Sequence, residues 1–121
     1  MGHAEFIFIN HLSGILLFVT AFLFLKFPPK NINGLYGYRT LSSMKDQSSW
    51  DLAQKVSANY LLKGSLILIS WQLLSYLFIY FMMPQWKEFA TIINVLAIVP
   101  VLIIAIFKTE KALRKNNFKG K

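Results

Sequence analysis

The chain has 121 residues, a formal charge of +8 and a composition that is 55% hydrophobic and 16% aromatic. A soluble domain of this length has too little interior to hide so much apolar surface. Cysteine is absent, which excludes disulfide frameworks and thiolate metal sites; His3 and His11 have no acidic neighbours at ligand spacing, so neither a metal nor another cofactor is expected.

The first apolar run, "FIFINHLSGILLFVTAFLFL", covers residues 6–25. It approaches the roughly 20 residues needed to cross a hydrocarbon core of about 30 Å. The preceding "MGHAE" lacks a basic n-region, so a retained span is expected rather than a cleaved signal peptide. Pro28 and Pro29 end this helix, because neither offers an N–H and both restrict the residue before them. Residues 26–60 form a polar stretch that begins as a turn and passes into a helix near "SSWDLAQ". Ser48 is the expected cap there, with Asp51 in a capping-box position. Leu52, Ala53, Val56 and Tyr60 recur at helical spacing, which predicts an amphipathic helix on the membrane surface, leading into the second span through a bend at Gly64.

The second run covers residues 61–83 and the third covers 89–107, joined by the link "PQWKE" as an antiparallel hairpin. Pro100 predicts a kink within the third. The expected fold is a single all-α membrane domain of three spans, closed by a basic tail over residues 108–121. Eleven of the thirteen basic side chains lie in residues 26–60 or in that tail. Basic residues are retained on the cytoplasmic side. The N-terminus is therefore expected outside, with the long first loop and the tail in the cytoplasm. Anionic lipid accounts for the basic tail without nucleic acid as a partner.

Polar residues within the spans face protein rather than lipid. Asn10, His11, Gln72, Ser75, Tyr76 and Asn94 are the candidates, and Asn10, His11, Tyr76 and Asn94 are expected at one level of the outer half. Interhelical hydrogen bonds, worth on the order of 1 kcal/mol each, are the simpler reading. A pocket open to a ligand is the other. Trp71 lies near mid-span, where its indole N–H requires a partner.

The loop "PPKNINGLYGYRT" is more elaborate than a turn requires. Lys30, Arg39 and Lys45 supply cations, Tyr36, Tyr38 and Trp50 supply flat rings, and Asn33 supplies an amide. Arginine beside aromatic rings suits a phosphate or carboxylate, so one reading is a lipid-headgroup or phospho-ligand site. Helix anchoring at the interface is the other. Asp46 and Asp51 are the only carboxylates in the loop, and no nucleophile with a base and an orienting group is readable, so the sequence does not argue for an enzyme, although two aspartates beside an Arg/Lys cluster leave phosphate chemistry open.

The series Pro-Pro-Lys-x-Ile-Asn-Gly-x-Tyr-Gly-Tyr-Arg-Thr, followed by Ser43-Met44-Lys45, Trp50 and Ala53, resembles the signature of the SdpI family of bacterial membrane proteins. Lys30, Asn33, Tyr36, Gly37, Tyr38, Arg39, Thr40, Ser43, Lys45 and Trp50 match that pattern. The resemblance implies a protein of the bacterial cytoplasmic membrane that gives immunity against a secreted, membrane-active killing peptide. The best understood member also draws a cytoplasmic repressor to the membrane, and is longer, with spans before the shared region. The partners that the resemblance implies are a toxic peptide and a cytoplasmic repressor; the sequence itself points to membrane lipids, and a three-span protein with little soluble mass to a second copy of the chain or a larger membrane complex.

Overall fold

The computed structural model describes residues 1–120, so Lys121, the end of the basic tail, lies outside the described residues. Those residues form four α-helices: α1 (His3–Lys26), α2 (Gln47–Met82), α3 (Lys87–Leu96) and α4 (Ile98–Lys119). A single 3₁₀ turn, Pro84–Trp86, links α2 to α3. Three helical stretches are long and apolar enough to cross a membrane: α1, α2, and α3 with α4 taken together.

Proline sets two of the boundaries as expected. α1 stops at Lys26, two residues before Pro28, with Phe27 as its C-cap, and Pro84 opens the tight link after α2. The kink expected from Pro100 is a break: helical hydrogen bonding is interrupted at Ala97, three residues earlier. Pro100 has no N–H for the Leu96 carbonyl and its ring crowds that oxygen, so the strain falls on the preceding turn.

Two expectations about the polar stretch need correction. No bend separates an amphipathic helix from the second span, since α2 runs unbroken through Gly64. Gly64 is a contact point instead: a Cβ there would strike the Val101 side chain on α4. The cap of α2 is Asp46, not Ser48, with its carboxylate accepting the Ser49 N–H at 2.7 Å. That bond holds the Asp46 carboxyl below its ordinary range. Asp51 accepts the Gln47 amide at 2.7 Å and takes no part in capping.

α1 lies along α2, α4 lies along α2, and α3 also packs on α1. The seams are built from small and polar residues: Ser13, Gly14 and Ala21 on α1, Ala53, Ser57, Ala58 and Ser65 on α2, Ala105 and Thr109 on α4 are all buried. Large apolar side chains point the other way, as with Ile67 at 70% and Phe81 at 72% exposure. This is the arrangement for a protein whose solvent is lipid, where small residues bring helix backbones together. At one end of the bundle the chain's first residue meets the start of α3, through Lys87 Nζ donating to the Met1 carbonyl at 2.6 Å and a Met1 ammonium–Glu88 pair at 3.6 Å. The motif loop occupies the opposite end.

Candidate functional site

The loop between α1 and α2 is held by groups that all serve its shape. Asn33 Oδ1 accepts the N–H groups of Leu35 (2.9 Å) and Tyr36 (3.0 Å), the side-chain-made turn that asparagine favours. Arg39 donates to the Gly34 carbonyl across the same turn. Gly37 then adopts φ +108°, a conformation that L side chains rarely take.

Beyond Gly37 the loop is gripped by α2. Gln54, buried, accepts the Tyr38 N–H at 2.7 Å and donates to the Tyr38 carbonyl at 2.8 Å, so one side-chain amide pairs with both backbone groups of one residue. Trp50, fully buried, donates its indole N–H to the Pro29 carbonyl at 2.7 Å. Gln47 donates to the Lys30 carbonyl at 2.6 Å. Thr40 and Ser43 close the last turn reciprocally: the Thr40 N–H goes to Ser43 Oγ at 2.8 Å, and the Ser43 N–H to Thr40 Oγ1 at 3.2 Å.

The far side of the loop is held by a residue that sequence reasoning passed over. Glu110 stands on α4 just past the apolar run, and one of its oxygens accepts both the Tyr38 hydroxyl and the Thr40 hydroxyl at 2.8 Å. Burial pushes the Glu110 carboxyl up, but hydroxyl donors from Thr40, Tyr38 and Ser42, with the Arg114 charge, outweigh it and hold the group below its ordinary value. Tyr38 is driven the other way, above its ordinary value near 10, by burial first and then by its bond to the Glu110 anion. A raised tyrosine stabilises the fold fully below pH 10; that contribution is lost as pH climbs toward Tyr38's own value. The prediction is that Tyr38 ionises above its ordinary value, read as the difference between wild type and Tyr38→Phe in an ultraviolet alkaline titration. Glu110→Gln should move that step downward, and a Tyr38 step at the ordinary value in wild type would contradict the bond to Glu110.

Most motif residues are thus engaged inside the loop. Tyr38, Thr40, Ser43 and Trp50 are committed to Glu110, to one another or to Pro29. Tyr36 is half-exposed, with its ring tilted on Phe24 at 6.1 Å. Lys30 lines the two clefts beside the Pro28–Pro29 corner, whereas Arg39 and Lys45 line neither. Lys45 is exposed beside Asp46, so the three cations are not gathered around one cleft.

The intramembrane polar residues form a buried layer. Asn94 donates to Asn10 Oδ1 and to Ser75 Oγ, both at 2.7 Å. Asn10 donates to the Gln72 carbonyl at 3.1 Å, and Gln72 donates to Ser13 Oγ at 2.9 Å and to the Asn94 carbonyl at 3.1 Å. Trp71 finds its partner here, donating to Asn94 Oδ1 at 2.9 Å. Ser13 was missed because a serine in a span ordinarily bonds its own helix and gives no sequence signal. His11 and Tyr76 stand outside the layer, paired edge-on at 5.8 Å. Among the described residues, two buried polar atoms lack a hydrogen-bond partner, His11 Nε2 and Gln72 Oε1. The second faces Gly14, where a Cβ would come within 2.5 Å of it. Asn10, Gln72 and Asn94 are at most 2% exposed, so the layer bolts α1, α2 and α3 together, and a cavity of about 380 Å³ lies beside it, lined by Trp71, Ser75 and Asn94 among apolar side chains.

This pairing of loop and layer can be set beside known proteins. The profile of the SdpI/YfhL protein family matches residues 30–109, which takes in the motif loop and all of α2 and α3. A relative from Bacillus subtilis (strain 168), the uncharacterised protein YfhL, is 33% identical over 104 residues, covering 84% of this chain and 83% of its own. No solved structure matches. The loop that Gln54, Trp50 and Glu110 fasten is the part whose residues first pointed to that family, and the match extends through α2, which carries Trp50 and Gln54, and stops one residue short of Glu110 on α4. The chain is a multi-pass membrane protein that belongs to the SdpI/YfhL family.

Proposed function

We propose that this protein is a small immunity or resistance factor of SdpI type in the bacterial cytoplasmic membrane, protecting the cell against a membrane-active peptide. The observation that carries this reading is the extent of the family match, from Lys30 to Thr109, over the loop and the helices around it. The basic residues support an orientation with the motif loop and tail in the cytoplasm and the α2–α3 link outside. The peptide then meets the outer half of the bundle, and the loop is the inner, responding end. Leu35 and Leu41, 88% and 95% exposed on the loop, offer a cytoplasmic repressor an apolar grip. Coupling between the two ends requires that peptide-bound and free states differ in how the loop is held.

The test is a killing assay. A peptide-sensitive host expressing this chain should survive a dose of killing peptide that clears the empty-vector control. Death at the same dose, with the protein detected in the membrane, ends the immunity reading. Pull-down of a cytoplasmic regulator by wild type and not by Leu41→Asp would establish the signalling half.

A further inference from the structure

A cleft of about 590 Å³ opens between the end of α1 and the first turns of α2. Phe24, Leu25 and Pro28 give it an apolar lining, and Lys30, Asp51 and Lys55 give it a charged one. Apart from the Asn31 side chain, the neutral polar groups around it are already engaged. The Pro29 carbonyl takes the Trp50 indole proton, the Lys30 carbonyl takes the Gln47 amide, and Gln54 has both ends on Tyr38. Gln47 also serves Asp51. The ammonium groups are different. Neither Lys30 nor Lys55 is in an ion pair among the described residues. A second cleft of about 660 Å³ adjoins the first through Pro28, Pro29, Lys30 and Asn31, and adds Lys26.

Position along α1 narrows the class of ligand. Phe24 and Leu25 end the apolar run, and Lys26 starts the polar stretch. The cleft therefore straddles the level where hydrocarbon gives way to headgroups, which is where lysines near a span reach phosphate. A small soluble anion would use the lysines and leave the apolar lining bare. A bare acyl chain would do the reverse. Only a molecule with an anionic head and an apolar tail satisfies both. Lys30 and Lys55 set against Asp51 leave one positive charge, the complement of the single negative charge of a phosphodiester.

We propose that this cleft seats one phospholipid, with its phosphate between Lys30 and Lys55 and an acyl chain along Phe24 and Leu25. Such a lipid touches the Pro28–Pro29 corner that Trp50 fastens to α2, so occupancy of the cleft and the set of the motif loop are physically linked.

Native mass spectrometry of the full chain in mild detergent, titrated with dioleoyl phosphatidylglycerol or dioleoyl phosphatidylethanolamine, tests this. Wild type should retain one phospholipid. Lys30→Gln/Lys55→Gln should bind it about thirtyfold more weakly, from about fivefold for each cation near a phosphate. Lys55→Gln alone, at an exposed helical position that should fold normally, is expected to show the single step. Lys111→Gln/Lys119→Gln removes the same charge from the tail, outside the cleft, and should bind as wild type does. Equal weakening by both pairs would mean general attraction to a basic face and would overturn the site. Retention of dioleoylglycerol as strong as that of the phospholipids would reduce the cleft to an apolar groove. Inorganic phosphate displacing the phospholipid at equal concentration would assign it to a soluble anion; both results refute the proposal.

Discussion

Gly37→Ala should lower stability by about 3 kcal/mol, the sum of a strained backbone and a side chain with no room. The φ of +108° disfavours any Cβ, and that Cβ would lie 2.6 Å from Gln54 Oε1 and 2.8 Å from Pro29 Cγ. Neither neighbour yields easily. The Gln54 amide is fixed by two bonds to Tyr38, and Pro29 is fixed by Trp50. The comparison variant is Gly34→Ala, three residues earlier in the same loop. Nothing lies within 4 Å of a Cβ at Gly34 and its φ is not positive, so the change should fall within about 0.5 kcal/mol of wild type. Unfolding by SDS in mixed micelles measures both. Equal midpoints would show that Gln54 and Pro29 do not enclose Gly37.

The second large effect is expected inside the membrane. Asn94→Leu removes bonds to Asn10, Ser75 and Trp71 and should cost about 2 kcal/mol, at 0.6–1 kcal/mol for each lost contact. Asn10→Leu loses its bonds to the Gln72 carbonyl and to Asn94 and should cost about 1.5 kcal/mol by the same scale. Together they should cost less than the sum, because the first substitution already strands the partner that the second removes. Strict additivity would mean that the 2.7 Å contact between the two amides contributes nothing. Both leucines keep the spans apolar, so membrane insertion should be unaffected.

How far the sequence anticipated this molecule depends on the range of the interaction. The spans were legible because hydropathy is a local sum, and the helix ends at Pro28 and Pro84 followed from proline chemistry. The asparagine and glutamine layer was legible because amides are costly in lipid and must find one another. Gly64 was misread because glycine marks both flexibility and close packing, and only the position of Val101 separates the two. Asp46 was passed over as a cap for Ser48, an ambiguity of two residues that propensity does not resolve. Glu110 was invisible for a different reason. It sits among Lys108, Lys111 and Arg114, where a carboxylate looks like surface charge, and its partners Tyr38 and Thr40 are about seventy residues earlier. The motif tyrosine and threonine advertised a site, but nothing in the local pattern named the acid that receives them.

α2 carries Trp50 and Gln54 near one end and Gln72 within the membrane, with no interruption between them. At 1.5 Å per residue, about 33 Å of continuous helix separates Trp50 from Gln72. That is a lever arm. If the polar layer is the fulcrum, a tilt of about 5° sweeps Trp50 through roughly 3 Å, the length of the hydrogen bonds it and Gln54 make to the loop. A displacement too small to expose the layer is already large enough at the other end to force a choice: the loop travels with the helix, or its bonds to Pro29 and Tyr38 part.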